Sequence, residues 1–110
     1  MIMTGASEKI HNAIMKLNGV ESVKHRLGET EYKLGKREIG HIQSNYLVDI
    51  PFPMKIRNKL IKNREVKPHH ILPENGWVSM YIRKEDDVQN AIRLLKESFD
   101  IALEQRNKKS

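Results

Sequence analysis

Residues 37–51 read REIGHIQSNYLVDIP, two β-rich runs separated by Ser44-Asn45. Such runs are typical of strands, and two residues between them suit a tight hairpin because asparagine tolerates the positive φ that these turns require. Pro51 ends the second run, since proline has no N–H to donate to a sheet. The segment therefore predicts an antiparallel hairpin with strands at 37–43 and 46–50.

On both sides of this hairpin the hydrophobic pattern predicts helices and further strands. The clearest segment is the last, where apolar residues from Val88 to Leu103 keep helical spacing. The predicted helices are 7–17, 53–63 and 85–105, the other predicted strands are 20–27, 31–34 and 77–83, and 64–76 is a predicted loop. The order α-β-β-β-β-α-β-α predicts an α+β, two-layer domain, with a mostly antiparallel sheet and helices packed on one face.

The chain has 110 residues, no cysteine and a formal net charge of +6. Its length predicts a single domain over residues 1–110 with a hydrophobic core. Without cysteine there is no disulfide, no cysteine-ligated metal centre and no thiol nucleophile. The N-terminal residues lack the pattern of a secretion signal and no apolar run has the length of a membrane span, so we expect a cytoplasmic protein without membrane association.

One group of basic residues is dense, between Lys55 and Lys67. Clustered basic side chains bind phosphates without sequence preference, but such a group is more often a solvated helix face. Nucleic-acid binding is therefore an open interpretation that is not favoured. The alternative to an enzyme is a binding module in which the basic helix 53–64 contacts nucleic acid or an acidic protein partner.

The strand over 37–43 carries two candidate catalytic residues, Glu38 and His41. Histidine is the side chain best able to exchange protons near neutral pH. Strict alternation along a strand separates Glu38 from His41, unless Gly40 marks a bulge that puts them on one face. The other interpretation of Glu38 is a salt bridge with a neighbouring basic residue.

Asp49 is a candidate because it stands between Val48 and Ile50, where an isolated carboxylate is costly if it is buried. We expect it to pair with Arg37 or a histidine, or to lie at the mouth of a site.

A metal centre is not predicted from the sequence. Histidine, aspartate and glutamate could supply nitrogen and oxygen ligands for zinc or iron, the available residues being His41, His69 and His70 with Glu38, Asp49 or Glu74. No metal-binding sequence motif is present, and neighbouring residues on an extended loop tend to point apart. The cofactor, if there is one, is unknown at this stage.

Aromatic side chains on the strand 77–83 form a candidate ligand surface. Trp77 and Tyr81 alternate with the core residues Val78 and Met80, so they share the opposite face. This surface is either a second small core covered by the loop that holds His70, or a platform for a planar ligand.

Four stretches resemble the luciferase-domain family, a group of small bacterial and fungal domains named after fungal luciferases. They are REIGH (37–41), LVDIPFP (47–53), HHILPENGWVSMYIR (69–83) and DDVQNAIRLLKESFDIA (86–102). The family's polar motif falls on Glu38, Gly40, His41, Asp49, His70, Pro73, Gly76 and Trp77. Many relatives have a second histidine where this chain has Gln43, which weakens a role shared by such a pair.

The resemblance implies a shared fold and a pocket, since fungal luciferases oxidise a hydroxylated pyrone with oxygen. We expect a small planar ligand, or cofactor-free oxygen chemistry, with His41 or His70 as general base, Asp49 or Glu38 orienting it, and Trp77, Gly40 and Tyr81 binding the ligand. A purely structural role, in which these polar residues fix the loop to the sheet, stays open. The oligomeric state is not predicted.

Overall fold

The computed structural model describes residues 4–69 and 75–109. In chain order its elements are α1 (Ala6–Ile14), β1 (Val20–Lys24), a short 3₁₀ helix (Arg26–Gly28), β2 (Glu29–Leu34), β3 (Arg37–Gln43), β4 (Leu47–Pro51), α2 (Met54–Lys62), β5 (Lys67–Pro68), β6 (Trp77–Tyr81) and α3 (Glu85–Lys109).

The strands form one sheet in the order β1-β2-β3-β4-β6-β5, and each neighbouring pair is antiparallel. The predicted α+β class and the order of the main elements are confirmed. The predicted loop 64–76 also contains β5, which pairs through Lys67 and Pro68 with the edge of β6. So short a strand gives no alternating pattern, and its proline is typical of edge strands, so the sequence indicated only a loop.

The core lies between the sheet and two of the helices. α3 packs across β2, β3, β4 and β6, and α1 packs against α3. Val88, Ala91 and Leu95 of α3 are fully buried, as are Ile10 and Ile14 of α1. The helical spacing of these apolar residues is therefore what fixes the helix layer on one face of the sheet.

The turn between β3 and β4 differs from the prediction. Gln43 pairs with Leu47, so the turn has three residues, and Ser44 rather than Asn45 has positive φ, at 49°. The Asn45 side chain instead accepts a hydrogen bond from the Ser7 backbone N–H at 2.8 Å. The prediction of a two-residue turn was wrong, because Tyr46 belongs to the turn and β4 begins at Leu47.

The ends of several helices and strands also differ from the predicted ends. α1 ends at Ile14 rather than residue 17, although Leu17 still packs on the core. β1 ends at Lys24 because Leu27 adopts a left-handed conformation, with φ 67°. Among the described residues, no helix combines the length and the apolar character needed to cross a membrane.

Candidate functional site

A row of polar side chains crosses the middle of the sheet. His41 of β3 lies opposite Asp49 of β4, and Asp49 lies opposite Ser79 of β6. Residues directly opposite each other in antiparallel strands project from the same face. The row lies on the face away from α1 and α3, because Val48 and Ile50 on either side of Asp49 belong to the core.

A β-bulge at Ile39 brings Glu38 to this face. Tyr32 of β2 pairs with Gly40 and the next residue, Lys33, pairs with Glu38, so Ile39 is the extra residue in β3. The extra residue shifts the alternation of side chains by one, so Glu38 projects from the same face of the sheet as His41. Glu38 Oε2 lies 2.9 Å from His41 Nδ1. The alternative that the sequence left open, a bulge next to Gly40, is the observed one.

Gly40 itself lies on the helix side of the sheet, away from the polar row. A Cβ there would come within 2.6 Å of Leu95 Cδ2 on α3 and 2.9 Å of the Asp49 carbonyl oxygen. Gly76 has a similar role, because a Cβ there would overlap the Phe52 carbonyl oxygen. Both glycines of the family motif therefore permit close backbone packing, and Gly40 does not contribute to the ligand surface.

Asp49 is the buried centre of the row, with 2% of its surface exposed. Its Oδ1 accepts a hydrogen bond from Ser79 Oγ at 2.6 Å, and its Oδ2 lies 2.8 Å from His41 Nε2. Burial by itself raises the pKa of the Asp49 carboxyl, but the hydrogen bonds from His41 and Ser79 outweigh it and hold the pKa below its usual value. The expected partner of Asp49 is thus a histidine and not Arg37.

His41 is held between two carboxylates, one at each ring nitrogen. Burial lowers the pKa of His41, but the hydrogen bonds to Asp49 and Glu38 more than compensate and raise the pKa to about 10. At neutral pH the ring is an imidazolium that donates on both sides. It has no lone pair with which to accept a proton, so this arrangement is that of a proton donor rather than of a general base.

His69 and Trp77 complete the cluster. His69 Nε2 lies 3.7 Å from Asp49 Oδ2, the same oxygen that faces His41. The Trp77 ring packs against both imidazoles, with centroids 5.2 Å from His41 and 6.2 Å from His69. The sequence drew attention to the pair at 69 and 70, but named His70 as the catalytic candidate. His70 and Pro73 lie outside the described residues. Of the pair, His69 is within the part of the chain that the structure describes, and its ring lies near Asp49.

Tyr81 lies on the same face but farther along β6. It lies four positions after Trp77, or about 13 Å along the strand. Its ring is flanked by Lys67 Nζ at 6.0 Å and by the Arg83 guanidinium at 5.5 Å. A small cavity of about 130 Å³ lies beside Tyr81 and is lined by Ser79 and Lys67 among others. Tyr81 is thus at the margin of the site.

The row continues beyond His41 to Glu31, which the sequence did not single out. Glu31 of β2 lies opposite His41, and its Oε1 is 2.9 Å from His25 Nε2. The hydrogen bond with His25 lowers the pKa of the Glu31 carboxyl. Only the register of β2 against β3 reveals this neighbour, because nothing in the sequence around Glu31 distinguishes it from other acidic residues.

The cluster brings acids, bases and metal-ligand atoms close together on an accessible face. One ligand atom each from His41, Asp49 and His69 lies within 4.8 Å of the other two. A buried carboxylate with two imidazoles and a second carboxylate is able to hold a proton, to donate hydrogen bonds, or to coordinate a cation.

The comparison with protein families matches the luciferase domain over residues 36–98. The chain belongs to the luciferase-domain family. The match begins just before β3 and ends within α3, so it contains the bulge, Asp49, His69 and Trp77. Searches of curated proteins and of solved structures returned no match.

Proposed function

We propose that this luciferase-domain protein binds a small planar, hydroxylated molecule on the sheet face formed by Trp77, His41 and Glu38. The observation that carries the proposal is the Glu38–His41–Asp49 chain of hydrogen bonds beside the partly exposed indole of Trp77. A buried carboxylate costs free energy unless it is paired, and β-bulges that re-aim a side chain are over-represented next to active sites.

Each group has a separate part in this proposal. Trp77 offers its ring face to the planar ligand, since offset stacking of aromatic rings is favourable. Glu38 is about a quarter exposed, which makes it the carboxylate best placed to accept a hydrogen bond from the ligand's hydroxyl. His41 fixes the Glu38 side chain through Nδ1, and Asp49 fixes His41.

Oxygen chemistry is the reaction class that we propose for the bound molecule. A hydroxylated ring becomes more electron-rich as its proton moves to a carboxylate, and dioxygen would be the co-substrate. Glu38 is then the general base that takes the hydroxyl proton, and the negative charge passes to the ring oxygen. His41 holds the Glu38 side chain in place, and its positive charge offsets the charge that develops on the ring.

The binding step is tested with umbelliferone, a planar hydroxylated benzopyrone, and with coumarin, which lacks its hydroxyl. We expect saturable binding of umbelliferone, followed by the anisotropy of its fluorescence, and weaker binding of coumarin. Truncation Glu38→Ala should weaken umbelliferone binding about tenfold or more, as expected for a lost hydrogen bond to a charged group, and should affect coumarin much less.

The matched control is His25→Ala, because His25 also pairs with a carboxylate on this face but lies away from Trp77. This variant should bind umbelliferone as the wild type does, while Trp77→Ala should lose binding of both compounds. Equal binding of the two compounds by the wild type, or full binding by Trp77→Ala, would contradict the proposal.

A second function is favoured by the surface of α2. Lys55, Lys59 and Lys62 are exposed on this helix, and no acidic residue occurs between Met54 and Arg64. A basic surface attracts phosphates, so we propose nucleic acid as the partner of this face.

Salt dependence tests this second function. Binding of a labelled oligonucleotide should weaken steeply with salt, and replacing Lys55, Lys59 and Lys62 by Gln should reduce the slope of log K against log salt by about 2 to 3. The matched control replaces the exposed lysines Lys16, Lys24 and Lys96 by Gln. An equal effect of both triple variants would mean that net charge alone, not α2, attracts the oligonucleotide.

A further inference from the structure

We propose that His41, Asp49 and His69 form a binding site for one divalent transition-metal ion, of the zinc or iron(II) class. This inference does not rest on the planar ligand, because it uses only the geometry of the three side chains. It also goes beyond the sequence, from which no metal centre was predicted.

The three ligand atoms converge on one point. His41 Nε2 and His69 Nε2 both face Asp49 Oδ2, at 2.8 and 3.7 Å. Ligands bound at 2.0–2.1 Å in a tetrahedral zinc site are about 3.4 Å apart, which lies between these two distances. One ligand atom from each of the three residues lies within 4.8 Å of the other two, so rotation of the side chains would bring them around a single ion.

Two neighbouring residues hydrogen-bond to the proposed ligands, as the residues around the ligands do in metal sites. Glu38 accepts a hydrogen bond from His41 Nδ1, which orients the ring and leaves Nε2 for the ion. Ser79 Oγ donates to Asp49 Oδ1, and Asp49 Oδ2 is the oxygen that faces both imidazoles. Both contacts are of the kind that fixes imidazole and carboxylate ligands around an ion.

Charge and surroundings also favour a cation. Asp49 and Glu38 bring two carboxylates to the cluster, and a divalent ion would lie beside both imidazoles where His41 Nε2 and Asp49 Oδ2 now share a hydrogen bond. Trp77 packs on both imidazoles. Two histidines and one carboxylate leave further coordination positions open, as in catalytic zinc sites and in iron(II) oxygenases.

The experiment uses the full chain, prepared without a histidine tag and freed of metal with EDTA. Calorimetric titration with Zn²⁺, and separately with Co²⁺ followed by visible absorption, should give one ion per chain. His69→Ala should weaken binding on the order of 100-fold, and Glu38→Gln or Ser79→Ala by about 10- to 100-fold. Binding by His25→Ala should equal that of the wild type.

Asp49→Asn is a second ligand variant, and circular dichroism shows whether each variant is folded. If this buried substitution unfolds the chain, His69→Ala still tests the proposal. His69 follows a two-residue edge strand, so we expect its replacement to leave the chain folded. In the nitrogen NMR spectrum, metal should shift the imidazole signals of His41 and His69 and leave those of His25 in place. The absence of stoichiometric binding, or full binding by folded His69→Ala, would overturn the proposal.

Discussion

A single extra residue in β3 decides the chemistry of this face. Without the bulge at Ile39, Glu38 would project toward α3 and His41 would have one carboxylate instead of two. Gly40 is the residue that makes the bulge compatible with the helix layer, because its missing side chain leaves room for Leu95.

We predict that Gly40→Ala lowers the free energy of unfolding by about 1–3 kcal/mol, the usual range for overpacking a core. The added Cβ would come within 2.6 Å of Leu95 Cδ2 and 2.9 Å of the Asp49 carbonyl oxygen. Urea denaturation measures the change.

Leu95→Ala provides the control for this substitution. The cost of Gly40→Ala should be smaller in the Leu95→Ala background, but it should not vanish, because the Asp49 backbone cannot withdraw. An equal cost in both backgrounds would show that Leu95 is not the obstacle.

At the scale of elements, α3 and β3 are joined by a buried hydrogen bond at the bulge. Ser98 Oγ donates to the carbonyl oxygen of Ile39 at 2.8 Å, and Ser98 is almost fully buried. The helix thereby satisfies the acceptor of the bulged residue and holds the bulge in place from the core side.

Replacing Ser98 by Ala should destabilise the protein by about 1–3 kcal/mol, because a buried carbonyl loses its donor. Ser22→Ala on β1, where the side chain is half-exposed, is the control and should change stability by less than about 0.5 kcal/mol.

The Ser98→Ala substitution should also affect the polar row on the other face of the sheet. If Ser98 holds the bulge, Ser98→Ala also shifts the NMR signals of His41, which lies on the opposite face. Unchanged His41 signals in the destabilised variant would show that the Ser98 hydrogen bond stabilises the fold but does not determine the geometry of the site.

At the scale of the whole molecule, the cluster makes global stability depend on pH. His41 has a pKa of about 10 when folded and about 6.5 when unfolded. A group whose pKa is raised by folding stabilises the folded state fully below its unfolded pKa, and this contribution is lost as the pH rises through the folded pKa.

We therefore expect the free energy of unfolding of the metal-free protein to fall between about pH 6.5 and pH 10. The variant His41→Gln should lack this part of the decline, so the difference between the two urea-denaturation profiles isolates His41 from lysines and tyrosines that titrate nearby. Parallel profiles would mean that His41 does not carry a raised pKa.

Part of the fold could be predicted from local patterns. The helical spacing of Val88, Ala91 and Leu95, the β-rich runs of β3 and β4, and the prolines after β4 each act over a few residues, and they determine the α+β class and the order of the main elements. The same reasoning identified Asp49 as a carboxylate in need of a partner, because the cost of burying a charge follows from its apolar neighbours alone.

The site itself was decided by the tertiary structure. Whether Glu38 shares a face with His41 depends on the register of β2 against β3, and the approach of His69 to Asp49 depends on how β5 meets β6. Both are contacts between segments distant in sequence, and the energies that select them come from packing, not from local propensity. The sequence by itself determined which side chains are available for chemistry, while strand register and one bulge, fixed by the packing of α3 on the sheet, determined which of them meet.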